Sequence, residues 1–295
     1  MNKFVIVSDS CCDLGLELRK KYDIEYLPMS VAYDDVTMVA SLDWEEISAK
    51  EYYDVMRQGK RVFTSQVPPA DYKERFEKYI SEGYDILSIS CSSMLSASVK
   101  ASCVVRDELK EKYPNSEIIC IDSLISGGGL GLLCIYASKL RAEGKTIKEV
   151  ASLVEEIKMF ANQAGTVGDL KYLKMAGRIS AGKAFFGTIM NVKPLIISNV
   201  KGENVSVDKA KGRAKSIRLL ADNFFANYTG TGVDDILVSQ ADCEEDANVL
   251  IAMIKEKMPE AKITLETLNP VMGASCGPDT LIVYFIGKDK PNTDE

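Results

Sequence analysis

With 295 residues, a formal charge of −7 and no histidine, the chain is long enough for one large or two medium domains, each with a proper core. It carries neither the basic excess that a nucleic-acid surface needs nor an imidazole to activate a serine. Its eight cysteines, at 11, 12, 91, 103, 120, 134, 243 and 276, fall in no Cys-x-x-Cys pair and so read as reduced thiols, most of them buried, rather than as zinc ligands.

Residues 4–7 form a four-residue apolar run that reads as a short buried strand ending in Ser8-Asp9-Ser10. That run is too short for a signal peptide or a membrane anchor, so no stable membrane insertion is expected and the cytoplasm is the expected location. Asp13 then caps a helix through Lys21, and a second strand covers 24–33. Asp43, with Glu46 three positions later, resembles a capping box for a helix to about Gln58. Val62-Phe63 leads into Thr64-Ser65-Gln66, and Pro68-Pro69 opens a helix that ends near Gly83. A strand at 85–90, a helix at 95–112 and a strand at 117–122 follow. The glycines at 127, 128, 129 and 131 form the loop into a helix at 132–142. From Thr146 come a helix to Phe160, a strand at 165–167, short helices between 170 and 190, and strands at 194–198 and 205–207. A helix at 211–228, a strand at 234–240, a helix at 244–257 and strands at 262–267 and 281–287 complete the chain. The fold class is α/β in two domains that share an interface: a parallel α/β/α layer over 1–155 and a mixed-sheet α/β domain over 156–295.

Serine occupies seven of the fifteen positions between 88 and 102, just after a strand and at a helix start. Without a base these hydroxyls are suited to holding a polar group rather than attacking one, and a helix start offers free N–H groups and a favourable dipole to an anion. Taken alone, Ser92 or Ser93 acting as a cap accounts for the pattern. Thr64-Ser65-Gln66 adds a second hydroxyl cluster in a loop entering a helix. Loops leaving strand ends of a doubly wound sheet converge on one edge, which would bring Thr64 toward Ser96 and offer several donors to a carboxylate. Arg178 would offset part of the desolvation of a buried acid there, or else is a surface arginine in a helix connection.

Other motifs weigh less. The glycines at 127–131 miss the dinucleotide spacing, because Leu132 stands where a glycine is needed. Gly177-Arg-Ile-Ser-Ala-Gly182-Lys183 fits a phosphate loop until Ala184 takes the place of the Ser or Thr. Ser180-x-x-Lys183 has the spacing of serine enzymes with a lysine base, but Ser206-x-x-Lys209 matches equally well. The basic run Lys209, Lys211, Arg213, Lys215, Arg218 is accounted for by a solvated helical face, with a docking surface for an acidic or phosphorylated partner as the alternative.

Taken in order, Ser8-Asp9-Ser10-x-x-Asp13-Leu14, Thr64-Ser65-Gln66, Ser92-Ser93-x-Leu95-Ser96, Asp122-Ser123, Asp169-Leu170-x-Tyr172-Leu173-Lys174-x-x-Gly177-Arg178-Ile179-Ser180, Lys193-Pro194 and Lys211-Gly212-Arg213 resemble the DegV family of bacterial fatty-acid-binding proteins, which includes the binding subunit of fatty acid kinase. The resemblance covers about 4–287 as one unit. It implies two α/β domains enclosing an apolar tunnel for one long acyl chain such as palmitate, with the carboxylate at the domain interface. Thr64 and Ser96 match the hydroxyls that bind the carboxylate, with Ser65, Ser93 and Arg178 as neighbours in the polar network. It further implies a monomer without cofactor or catalysis of its own, whose chemistry belongs to a separate ATP-using kinase subunit. Two departures stand out. Ser96-Ala97-Ser98-Val99 replaces the family's Ser-Gly-Thr-Tyr, and Ser275 replaces the histidine of Gly-Ala-His-x-Gly-Pro-Gly. The second implies fatty-acid binding with less efficient service to a kinase. Competing readings are an enzyme, either a Ser180/Lys183 acyl hydrolase or a nucleotide-dependent kinase on 177–183, and an interaction module whose contact face is the basic helix.

Overall fold

The computed structural model describes residues 3–179 and 192–293. The chain runs β1 (Lys3–Asp9), α1 (Leu16–Tyr22), β2 (Ile24–Leu27), β3 (Ser30–Tyr33), β4 (Val36–Val39), α2 (Ala49–Arg57), β5 (Phe63–Ser65), α3 (Pro69–Ser81), β6 (Tyr84–Ser90), α4 (Ser98–Lys112), β7 (Ile118–Asp122), α5 (Gly128–Ala142) and α6 (Ile147–Ile157). It continues through β8 (Ala161–Thr166), α7 (Leu170–Ala176), β9 (Val192–Ser198), β10 (Asn204–Lys211), α8 (Arg213–Asn227), β11 (Asp235–Gln240), α9 (Glu244–Lys257), β12 (Lys262–Thr267), α10 (Pro270–Cys276) and β13 (Leu281–Ile286).

Among the described residues there are three sheets. A parallel sheet has the order β2-β1-β6-β7, and a mixed sheet the order β10-β9-β8-β13-β11-β12. A small antiparallel sheet, β4-β3-β5, sits beside them. The apolar run of β1 fits its central place, because a parallel strand covered on both faces needs no alternation. Helix α5 contacts β1 and β6 of the first sheet and β8, β11 and β13 of the second. Leu130, Leu132, Leu133, Cys134 and Ile135 are all fully buried, as expected of a helix apolar all round. One core runs across α5 between the two large sheets, and a second lies beneath α8 and α9 on the outer side of the mixed sheet.

The mixed α/β class is as read from the sequence, and several boundaries are corrected. Asp13 does not start a helix: it takes a left-handed conformation (φ 46°), and α1 begins after Gly15. The expected strand at 24–33 is two strands in different sheets. Pro28 cannot donate to a ladder, and the Met29 amide instead donates to Ser10 Oγ at 2.8 Å. The capping box of α2 is Ser48 with Glu51, whereas Asp43 pairs with Arg19 at 2.5 Å. Glycines 128, 129 and 131 lie inside α5 rather than in a loop before it. Residues 209 and 211 of the basic run belong to β10, so the run is split between a strand and a helix. Helix α10 falls between the two last expected strands and has no counterpart in the sequence reading.

Candidate functional site

In the parallel sheet, β1 is followed to one side by β2 and flanked on the other by β6. This reversal of direction opens a crevice at the carboxyl ends of β1 and β6, and the site is built there. Asp9, at the end of β1, is buried and accepts from the amides of Cys11 and Cys91, both at 2.9 Å, so one carboxylate ties the loops after the two strands. Burial raises the Asp9 pKa, and those two amides oppose the shift.

Above that floor lies a cavity of about 160 Å³ lined by Cys11, Met29, Thr64, Gln66, Cys91, Leu95, Ser96, Ala97, Ser126, Leu173, Arg178, Asn204, Val271, Met272, Ser275 and Cys276. Four separate parts of the chain bring Thr64, Ser96, Arg178 and Ser275 to its polar rim. Thr64 is the middle residue of β5, opposite Val31 of β3. Strand alternation sends its side chain to one face and those of Phe63 and Ser65 to the other, where both are exposed. Ser96 precedes α4. Its hydroxyl accepts from the Ser98 amide at 3.3 Å and lies 3.0 Å from Ser98 Oγ. Arg178 follows α7. Its guanidinium donates to Leu95 O at 3.3 Å and Ala176 O at 2.6 Å, which joins the end of α7 to the turn before α4. Ser275 comes from α10, where its hydroxyl makes a long contact of 3.5 Å to Val271 O. Val271 and Ser275, like Met272 and Cys276, are four residues apart on α10, so one helix face meets the cavity.

Among the described residues lining the cavity, Arg178 is the one with a charged side chain. The interior end is apolar and sulfur-rich, with Cys11, Met29, Cys91, Met272 and Cys276. The Cys11 thiol donates to Met29 Sδ at 3.6 Å. Its hydrogen bond with Cys91, together with burial, pushes the Cys11 thiol well up, and Cys91 and Cys276 are raised as well, so the three thiols stay protonated. The arrangement can hold one anionic head at the rim and apolar matter behind it.

Thr64, Ser96, Arg178 and Ser275 therefore line one cavity, whereas Ser65 and Ser93 do not. Ser93 is exposed, and its amide donates to Asp122 at 3.2 Å. Ser92 builds the turn instead of capping α4: its hydroxyl donates to Gly202 O at 2.8 Å and its carbonyl accepts from Leu95 and Ser96. Ser180 and Lys183, and with them most of the glycine-lysine stretch, lie outside the described residues. Sequence reasoning passed over Ser126, whose hydroxyl is buried without a hydrogen-bond partner among the described residues. Its place after β7 and before the glycine-rich helix start was the available signal. It also passed over α10, for which Asn269-Pro270, a cap followed by proline, was legible.

The described helices include none long and apolar enough to cross a membrane. A family model for "uncharacterised protein, DegV family" matches residues 3–288. A DegV domain-containing protein of Clostridium perfringens is 37% identical over 290 residues, covering 98% of this chain and 99% of the relative. Among solved structures, a fatty-acid-binding DegV family protein of Thermus thermophilus superposes with a TM-score of 0.83 at 24% identity, over 96% of this chain and 99% of that one. A Streptococcus pneumoniae fatty acid kinase B3 protein loaded with linoleic acid gives 0.83 at 20% identity, over 97% and 100%.

Proposed function

This chain belongs to the DegV family, and on that footing we propose that it binds one long-chain fatty acid, with the carboxylate at Thr64, Ser96 and Arg178 and the tail directed toward Met29 and Met272. The observation that carries the reading is the convergence of hydroxyls from β5, the α4 turn and α10 with a single guanidinium at the mouth of an apolar cavity. The fatty acids held by the Thermus thermophilus and Streptococcus pneumoniae proteins of the same fold support it.

Energies divide the work between the two ends. Fifteen buried CH₂ and CH₃ groups at roughly 0.8 kcal/mol each give about 12 kcal/mol, from which association and ordering subtract several kcal/mol. The tail supplies affinity. Each charge-assisted hydrogen bond to the carboxylate adds about 1.5–3 kcal/mol, mostly against desolvation, and sets which end enters first. A cavity near 160 Å³ is of the size that holds a benzene-sized group, so a sixteen-carbon tail must lengthen it. Met29 and Met272, unbranched and adaptable, are the side chains that would give way. The protein acts as a carrier, and phosphoryl chemistry on the presented carboxylate belongs to a separate ATP-using kinase subunit.

Titration with palmitate, and mass spectrometry of acids extracted from the purified protein, test the reading. Co-purifying long-chain acids and a roughly tenfold or greater loss of affinity in the Thr64→Ala/Ser96→Ala double variant are expected. Equal affinity of wild type and double variant would remove the carboxylate assignment. Absence of bound acid together with ester hydrolysis or ATP binding would replace the carrier with an enzyme.

A further inference from the structure

Of the buried polar side-chain atoms without a hydrogen-bond partner among the described residues, Ser126 Oγ is the one on the wall of the cavity. Ser126 is 1% exposed, and the loop from β7 to α5 that carries it is fastened on both sides. The Ser123 amide donates to Ser90 O at 3.2 Å, and Ile125 O accepts from the Ser92 amide at 3.0 Å. Between them, Leu124 O accepts from Ser198 Oγ and Lys290 Nζ, at 3.1 and 2.7 Å. A loop held in this way cannot carry the hydroxyl to another partner. Left unpaired in a buried wall it costs free energy, which a bound polar group would recover.

Its position separates Ser126 from the donors expected at the carboxylate. An outer cleft of about 110 Å³ shares Thr64, Arg178 and Ser275 with the cavity, which marks these three as its mouth. Ser126, like Cys11 and Cys91, does not line that cleft and belongs to the inner wall. Its loop lies against the segment after β6 that supplies Cys91, through the Ser92 amide. The rim needs no further hydroxyl, because Thr64, Ser96, Ser275 and the Arg178 guanidinium already offer as many donors as two carboxylate oxygens accept. A benzene-sized cavity puts its inner wall only a few carbon atoms from a carboxylate at the mouth.

We propose that Ser126 is a specificity-determining residue, and that the acid this chain prefers is a long-chain 3-hydroxy acid whose hydroxyl pairs with Ser126 Oγ. This rests on the fatty-acid reading above and names the class of acid. An unsubstituted chain presents only CH₂ groups to Ser126 and leaves its hydroxyl unpaired, whereas a ligand hydroxyl at that depth satisfies both groups. A buried polar group placed for a substrate hydroxyl discriminates against the analogue that lacks it. An all-apolar wall does the reverse, since it strips the ligand hydroxyl of water and gives nothing back.

Titration of the full-length protein with palmitic acid and with each enantiomer of 3-hydroxypalmitic acid tests this. The better-bound enantiomer is expected to bind wild type roughly tenfold tighter than palmitate, and the order of the two acids to reverse in Ser126→Ala. Ser126→Cys, close in size but a weak donor, is expected to lose most of the preference, so the result does not hang on one variant. Circular dichroism of both variants confirms that they fold. Equal or weaker binding of the 3-hydroxy acids by wild type, or a preference that Ser126→Ala keeps, would overturn the proposal and leave the fatty-acid reading standing. An equal loss for both acids in Ser126→Ala would put the hydroxyl on the carboxylate and overturn it as well. Binding of neither acid would overturn both readings together.

Discussion

Thr64 and Ser65 are adjacent in sequence and face opposite ways, because a strand turns successive side chains to opposite faces. Ser65→Ala is therefore expected to leave palmitate affinity unchanged within about twofold, while Ser96→Ala weakens it roughly tenfold to a hundredfold without abolishing it, the value of one charge-assisted hydrogen bond. Isothermal titration of the two variants side by side checks both expectations. A second residue-scale effect lies away from the cavity. Glu266 is held at about 7, first by burial and then by the Asp13 carboxylate, which burial itself raises to about 6. A carboxyl raised on folding stabilises the protein fully below its unfolded pKa and loses that contribution as pH rises through the folded value. Between pH 4.5 and 7 the fold thus loses stability to Glu266. Glu266→Gln keeps an acceptor for the Gly15 amide and removes the buried charge, so it is expected to raise Tm at pH 8 by a few degrees, with the gain shrinking toward pH 5. A gain independent of pH would contradict the titration account.

Helix α10 shows how a short element is held. Seven residues cannot sustain a helix in water, and α10 is fastened by its neighbours. Asn269 Oδ1 accepts from the Met272 amide as its cap, at 2.9 Å, while its side-chain Nδ2 donates to the Asp13 carboxylate at 2.5 Å, beside the backbone amide at 3.0 Å. Tyr52 and Tyr53 of α2 donate to the carbonyls of Pro270 and Leu268 at 2.6 and 2.7 Å. Asn269→Ala removes the cap, about 1 kcal/mol, and one hydrogen bond to a buried carboxylate, about 1.5–3 kcal/mol. A loss of roughly 2–4 kcal/mol in urea denaturation is expected, together with weaker palmitate binding, because Val271, Met272 and Ser275 lose their seating. Unchanged affinity in a destabilised variant would show that α10 does not shape the site.

For the whole molecule, α5 is the joint between the two large sheets, and it tolerates no added bulk at the approach to β1. A Cβ at Gly131 would lie 2.5 Å from the Cys12 carbonyl oxygen, a backbone atom that cannot swing aside. Alanine favours a helix over glycine by about 1 kcal/mol, yet Gly131→Ala is expected to lower stability by roughly 1–3 kcal/mol, as overpacking does. A rise in Tm would mean that the sheets move apart at little cost. The loops of the two halves are tied directly as well. Ser198 and Lys290 both donate to Leu124 O, at 3.1 and 2.7 Å, and Arg57 of α2 pairs with Asp279 at 3.0 Å.

Periodicity and turn chemistry alone determined the alternation of strands and helices, from the apolar run of β1 to α9 and β12, because those signals act within a few residues. The ordered motifs were enough for the family resemblance, and with it the expected set Thr64, Ser65, Ser93, Ser96, Arg178 and Ser275. Which hydroxyls share a cavity was decided only by the tertiary structure: Ser65 falls on the outer face of β5, Ser93 is exposed with its backbone amide on Asp122, and Ser126, unremarkable in sequence, lines the cavity. The starts of α1 and α2 were misread for the same reason. Asp13 and Asp43 look like local caps, and each is claimed by a distant partner, Asn269 and Arg19. A carboxylate binds the best donor that the fold brings to it, and no spacing along the chain records where that donor is.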